Sequence, residues 1–186
     1  VRLNGVTSKY GYGNSTGKLK LTAPLLYSYD DNDLRRDITC SNIQIAQDGS
    51  LTKEAVLGNT PFGIYVGKWD ARKMSDTWLS QNLVATAKHC TGINPIKMRY
   101  ANVLLYYAEA MNELAGPDAN YNGDAGITAR QALALVHKRA FDAEHQADAQ
   151  AYIDAIPGDK DSFFNAIVDE NAWEFAGEGY RKWDLI

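Results

Sequence analysis

The chain has 186 residues, 45% hydrophobic and 23% charged, which is enough for one ordinary core and lacks the polar, highly charged bias of a disordered segment. Its 19 basic residues against 23 acidic ones give a net charge of −4, with no basic run to follow a phosphate backbone, so nucleic acid is not an expected partner. No stretch approaches the ~20 apolar residues of a bilayer span, and two cysteines, Cys40 and Cys90, cannot form a disulfide framework and lack metal-ligand spacing. Two separate buried thiols are favoured over a single bridge. The chain opens on Val1-Arg2 without Met or a signal-peptide pattern, so its natural start is expected further upstream.

Residues 1–60 are rich in Gly, Asn, Ser, Thr, Tyr and Asp, with short alternating runs at 18–21 and 43–45, a composition of loops and short strands. The segment YGYGNSTG at 10–17 sets Tyr10 and Tyr12 on a backbone loosened by glycines and reads as an exposed loop. DDNDLRRD at 30–37 places four acids around a basic pair. A strand is expected at 43–46 with a turn at Asp48-Gly49, and another at 64–66, broken by Gly67. Trp69 and Trp78 follow within an otherwise polar segment.

Composition changes near Asn94-Pro95, and everything beyond reads as helix, giving a loop-rich region at 1–94 and a helical region at 95–186. The stretch MRYANVLLYYAEAMNELA at 98–115 organises the second region. At 3.6 residues per turn it places Tyr100, Val103, Leu104, Tyr107, Met111 and Leu114 on a broad apolar arc beside a seam of Ala101, Ala108 and Ala115. Asn102, Tyr106, Glu109 and Glu113 are left to face water or a polar partner. Such a helix must be covered on more than one side, and the alanine seam admits a close neighbour. Gly116-Pro117 ends it.

A second helix is expected at 127–141, where Ile127, Ala129, Leu133, Val136 and Ala140 recur at helical spacing, then a short helical turn at 149–156. The last helix is expected to run from a cap at Asp161 or Ser162 to a stop at Gly177. Helices joined by short polar loops make pairs of the kind found in tetratricopeptide-like stacks. The last helix has no pairing partner in the sequence, which predicts an uncovered apolar face and further helices elsewhere in the natural protein.

Enzyme chemistry finds little support. His89, His137 and His145 lie far apart without metal spacing, and no GxSxG or Walker pattern occurs, so neither a catalytic site nor a cofactor is expected. Glu109 with Glu113, and Glu170 with Glu174, are carboxylate pairs at i and i+4, a spacing a glycosidase or a two-metal site could use. Ion pairs between packed helices explain them more simply, because Arg99, Arg139, Arg181 and Lys182 stand ready as partners for these carboxylates and for Glu178. The acids Asp30, Asp31 and Asp33 could present hard oxygens to Ca²⁺, but they lack the Gly and distant Glu of an EF-hand loop, and a solvated turn is favoured.

Three motifs nevertheless coincide in order and spacing: RYANVLLYYAEAMNE at 99–113, VHKRA at 136–140 and VDENAWEFAGEGYRKWDLI at 168–186. Together they resemble the C-terminal signature of the SusD/RagB family, glycan-binding outer-membrane lipoproteins of Bacteroidetes. Upstream, DNDLRRD at 31–37 is similar to that family's D-P-R segment, with Leu34 in place of Pro, and Gly67-Lys68-Trp69 is similar to its Lys-aromatic step. Asn102 stands where the family usually has Glu, and Asn171 where it often has Arg. The resemblance implies a mainly α fold of tetratricopeptide-like helix pairs, with irregular loops carrying the ligand site. It further implies a lipid anchor on an N-terminal Cys outside this chain, and a SusC-like TonB-dependent transporter as partner. On this resemblance the chain corresponds to the C-terminal portion of a longer protein, and Trp183, Arg181 and Asp184 are structural.

Sugar recognition needs aromatic faces for the C–H side of a pyranose and polar groups for its hydroxyls. Tyr10, Tyr12 and Asn14 on their exposed loop meet this best, followed by Trp78 and then Trp69, flanked by Asp70, Arg72, Lys73 and Asp76. Tryptophans near a domain junction are commonly packing residues, and Trp69 fits that role more readily than Trp78. The competing reading is a helical scaffold that binds a protein segment. Exposed rings in the loops would favour glycan, and an apolar groove across the helices would favour a peptide.

Overall fold

The structure is a computed structural model that describes residues 5–8, 15–46, 48–53, 63–77, 80, 96–121 and 126–180. The chain forms two compact units, one of Val1–Tyr29 with Arg35–Pro95 and one of Asp30–Leu34 with Ile96–Ile186.

In the first unit the described secondary structure is short. Helix α1, Ala23–Ser28, starts with Pro24 in its first turn, where a missing N–H is harmless, and α2 spans Leu34–Thr39. Both fall where the sequence suggested only loops and strands. Six residues give too few turns for a helical period to stand out. Strand β1, Cys40–Ser41, pairs antiparallel with β4, Tyr65–Val66, while β2, Ile43–Ile45, pairs antiparallel with β3, Leu51–Lys53. The hairpin between β2 and β3 is closed by Asp48, whose carboxylate accepts the Ser50 N–H at 2.9 Å, and by Gly49 at φ 81°. Val6, Ile45 and Tyr65 form a small core with Ile43 against it. The expected break at Gly67 takes the form of a 3-10 turn, Gly67–Trp69, directly after β4. A side chain at Gly67 would meet the Ile38 carbonyl oxygen at 2.3 Å, so close backbone approach explains the glycine.

The second unit is helical. Helix α3, Tyr100–Ala115, ends on Gly116 at φ 82°, whose N–H bonds the Asn112 carbonyl at 2.9 Å. No atom crowds that glycine, so its backbone conformation alone demands it. Helix α4, Ala129–His137, opens with a capping box: the Gln131 N–H donates to Thr128 Oγ1 and the Thr128 N–H to Gln131 Oε1. Its last turn tightens into a 3-10 segment, Lys138–Ala140, within the expected range. Helix α5, Gln146–Ala155, is a fuller helix than the turn expected there. Helix α6, Lys160–Glu174, is capped by Asp159, which accepts the Ser162 N–H at 2.8 Å. The cap therefore precedes the expected Asp161 or Ser162, because Asp159 holds the extended backbone conformation of a cap and Asp161 already lies in the first turn. The helix also ends short of the expected stop, and Gly177 at φ 77° turns the chain beyond it.

Helix α3 packs on both α4 and α6, and its buried residues are Ala101, Asn102, Leu104, Leu105, Ala108, Met111 and Asn112. Ala101 and Ala108 of the alanine seam thus face inward together with Leu104 and Met111, as small side chains suggest, with Leu105 and Ala108 fully buried, while Ala115 at the helix end is half-buried. Tyr100, Val103 and Leu114, expected on the covered arc, are exposed at 71%, 49% and 56%. The apolar arc is wider than two neighbours can cover, and the outer part of it is left open in this chain. Asn102, expected on the polar strip, is buried, and its Oδ1 accepts the Arg99 N–H at 2.9 Å as a cap for the helix start. The shared core takes Leu133 and Val136 from α4, Ile153 from α5 and Phe163 and Ile167 from α6.

Candidate functional site

Of the residues expected to meet a sugar, Tyr10, Tyr12, Asn14 and Trp78 lie outside the described residues. Trp69 closes the 3-10 turn after β4 and is 9% exposed, packed rather than presented. Gly5 lies against it so closely that an added Cβ would stand 2.6 Å from the Trp69 carbonyl oxygen. A buried ring is a packing element for the first unit, the role that its position near a junction suggested.

The polar residues around Trp69 do converge. Asp70 is buried at 3%, and its carboxylate accepts the Arg72 backbone N–H at 2.9 Å and Arg72 Nε at 3.0 Å, with Arg72 Nη2 as a further donor. That bonding raises the Arg72 pKa further, against the smaller opposing effect of burial. Lys73 Nζ donates to the Gly67 carbonyl at 3.0 Å, and its burial lowers its pKa against the pull of Asp70. These side chains form one wall of a cleft of about 440 Å³ within the first unit. Asp37, Ser41 and Asn42 stand on its rim, and Leu26, Ile38, Ile43 and Ile64 supply aliphatic surface. Cys40 also lines it as a free thiol, its pKa pushed up to about 11 by burial and the neighbouring Asp37. Sequence reasoning noticed Asp70, Arg72 and Lys73 only as flanks of tryptophans. The signal for their joint role is the Asp-x-Arg spacing at a turn, which lets a single carboxylate cap the turn and clamp the guanidinium.

The helical unit carries a larger groove of about 860 Å³ along α4 and α5. Its apolar surface includes Ile127, Ala134, Leu135, Phe141 and Ile153, and Gln131, Lys138 and Gln150 are among its polar lining. Arg130 borders it and holds the unit together. Its Nη1 donates to the carbonyls of Ile153 and Ile156 at 2.7 and 2.9 Å, ending α5, while Nε bonds Asp118 at 2.6 Å.

The motif residues of the second unit form a polar clamp. Arg99 donates to Glu178 at 2.8 and 3.1 Å, to the Glu174 carbonyl at 2.6 Å and to the Glu174 carboxylate, which also takes Arg139. Burial would lower the Arg99 pKa, but its bonds to Glu178 and Glu174 outweigh it and the net shift is upward. Glu170 pairs with His137 at 2.8 Å, and Glu109 is exposed. Bonding to neighbouring elements is therefore the structural use of Glu170, through His137, and of Glu174 and Glu178, through arginines. Arg181, Lys182, Trp183 and Asp184 lie outside the described residues. Asp30 accepts the Asn32 N–H at 2.8 Å in a local turn, and among the described residues no group of three or more His, Cys, Asp or Glu is placed to hold a metal ion. Among the same residues no helix is long and apolar enough to cross a membrane.

The sequence model of the SusD family matches residues 46–186. A SusD-like protein from Formosa agariphila is 39% identical over 93 residues, which make up 50% of this chain and 15% of that relative. The crystal structure of a SusD homolog from Bacteroides thetaiotaomicron aligns with a TM-score of 0.72 at 25% identity, over 98% of this chain and 36% of that one. The chain thus spans less than half the length of either protein. Its helix pairs are of the tetratricopeptide-like kind that the motifs imply. With the family match running from the turn after β2 through all the helices from α3 to α6, the chain belongs to the SusD family.

Proposed function

We propose that this protein captures oligosaccharides at the bacterial cell surface without catalysis and passes them to a SusC-like TonB-dependent transporter in the outer membrane. In this reading a lipid group on an N-terminal Cys outside the chain holds it at the membrane. Family membership is the observation that carries the proposal. The pairing of the carboxylates Glu174 and Glu178 with arginines supports a binding rather than a hydrolytic role, since groups committed to structure are poor acid and base catalysts. Tyr10, Tyr12, Asn14 and Trp78 remain the proposed stacking and hydroxyl-binding residues, while Trp69 is buried in the first unit. The division into a loop-rich ligand-facing region at 1–94 and a helical region at 95–186 is part of the same proposal.

Isothermal titration of the protein against plant, host and microbial oligosaccharides tests this. Saturable binding that Tyr10→Ala/Tyr12→Ala or Trp78→Ala abolishes, with the circular dichroism spectrum unchanged, is the expected result. Silence with every sugar would overturn it.

A second reading rests on the groove along α4 and α5. Its apolar surface and glutamine-rich lining suit an amphipathic protein segment, as helical scaffolds bind. Leu135→Glu, at an exposed groove position, would then abolish capture of a partner segment while leaving sugar binding intact.

A further inference from the structure

We propose that the groove along α4 and α5 takes an acidic amphipathic helix of a partner protein, its apolar face on Ile127, Ala134 and Leu135 and a carboxylate against Lys138 and Arg139; this rests on the second reading above. At about 860 Å³ the groove lies near the top of the range for ligand pockets, room for several side chains of one helix face. Ile127, Gln131, Leu135 and Lys138 recur every three or four residues along its wall, a ridge of about 16 Å or three turns. Leu135 is 54% exposed and Ile127 37%, so the apolar part of that ridge is presented to a neighbour. A helix with leucines at i, i+4 and i+7 meets such a ridge, as in other helix-in-groove contacts.

Charge decides the class of partner. Arg130, in the first turn of α4, bonds the carbonyls of Ile153 and Ile156 at the end of α5, and Gln146, which opens α5, donates to the Lys138 carbonyl at 2.9 Å. The two helices therefore run antiparallel and their dipoles oppose each other, which leaves side chains to set the field. Both lining acids, Asp118 and Asp154, stand at the Arg130 end, where Arg130 Nε and Nη2 hold Asp118 and Asp154 faces the same cation. Lys138 and Arg139 stand at the other end. Among the described residues Lys138 Nζ donates only to the neutral Gln150 Oε1, at 2.9 Å, and the Gln150 amide separates it from Asp154, to which Nε2 donates. Arg139 gives Nη2 to Glu174 and keeps Nε and Nη1 outside that bond, with its side chain 58% exposed. Arg99, Arg139, Glu174 and Glu178 sum to no formal charge, so Lys138 is the unbalanced cation of this end. Asp142, just beyond Phe141, bonds the His145 ring and does not line the groove. A carboxylate arriving here finds an ammonium and the open side of a guanidinium, both donors without acceptor capacity.

The test is fluorescence anisotropy of the protein with helical peptides that carry leucines at i, i+4 and i+7 and Glu, Gln or Lys one turn further on. The Glu peptide is expected to bind roughly 3- to 5-fold tighter than the Gln peptide, with the Lys peptide weakest, as a part-exposed ion pair provides. Lys138→Glu should reverse that order, and Leu135→Glu should abolish binding of all three, with the circular dichroism spectrum of each variant unchanged. Equal affinities for the three peptides in the unmodified protein, or an unchanged order in Lys138→Glu, would overturn the acidic class and leave the second reading standing. Binding that survives Leu135→Glu would place the peptides outside the groove and overturn both. Absence of binding by every peptide, as when another part of the full-length protein fills the groove, would overturn both as well.

Discussion

His137 Nδ1 lies 2.8 Å from a carboxylate oxygen of Glu170, and both side chains are buried where α4 meets α6. The Tyr152 ring stacks on the imidazole at 4.6 Å between centroids, and Phe141 approaches it at 5.0 Å. In such surroundings each partner bonds the other, and removing one takes that bond from a buried polar group. His137→Phe or Glu170→Leu alone should therefore cost about 1–3 kcal/mol. The double variant should cost clearly less than the sum of the two, because both single changes lose the same bond. Denaturant unfolding of the four proteins measures the coupling. Simple additivity would mean that the two groups are stabilised independently.

Glu174 is the hub of the second polar cluster, since its carboxylate takes Arg99 and Arg139 together. Its side chain is 3% exposed, so Glu174→Ala strands Arg99 beside a single remaining carboxylate, Glu178, and frees Arg139 altogether. Breaking a buried ion pair on one side costs about 3–5 kcal/mol. Arg139→Ala should cost much less, because Arg139 is 58% exposed and Arg99 still neutralises the carboxylate. Urea midpoints of the two variants give the comparison. Equal losses would show that Arg139, not Arg99, neutralises Glu174.

Much of this architecture was legible because it is local. The Thr128-Gln131 capping box and the Gly116 stop are each written within a few residues, and the helices stand close to where those signals place them. The roll of α3 about its axis was not local. An apolar arc broader than its neighbours can cover allows more than one choice, and the packing of α4 against Ala101 and Ala108 decides it, which leaves Tyr100 and Val103 outside. Partner choice in the clamp was hidden for a similar reason: an arginine and a histidine are both within reach of a glutamate on the next helix, and only packing assigned Glu170 to His137. At the candidate site, the burial of Trp69 follows from β4 and the close approach of Gly5, contacts that no spacing records.

Gly67 has a backbone that any residue could adopt, yet a Cβ there would meet the Ile38 carbonyl oxygen at 2.3 Å and the Ser41 Cβ at 3.2 Å. Neither is the free end of a flexible side chain. Gly67→Ala should push the β1–β4 pair away from α2 and cost about 1–3 kcal/mol, as overpacking does. A thermal melt of the variant measures this. An unchanged or raised midpoint would mean that the backbone yields easily, so that the reduced entropy of the unfolded alanine chain prevails.

Acid sensitivity should be tied in part to Arg130. The Arg130 guanidinium holds the Asp118 carboxyl below its ordinary pKa, against the smaller effect of burial. A carboxyl depressed in the folded state contributes stability that is present above its unfolded pKa, about 3.9, and is lost as pH falls through the folded value. Asp142, bonded to His145, and Asp159, bonded to Ser162, are depressed as well and add to the same acid limb. Arg130→Met removes the Asp118 bond and also strands the Ile153 and Ile156 carbonyls, which should cost about 1–3 kcal/mol near neutral pH. The loss relative to the unmodified protein should then shrink as pH drops below about 4, since protonated Asp118 no longer rewards the arginine. Unfolding measured at pH 7 and again at acid pH separates the two effects. A difference that stays constant with pH would assign the whole role of Arg130 to capping the end of α5 and none of it to Asp118.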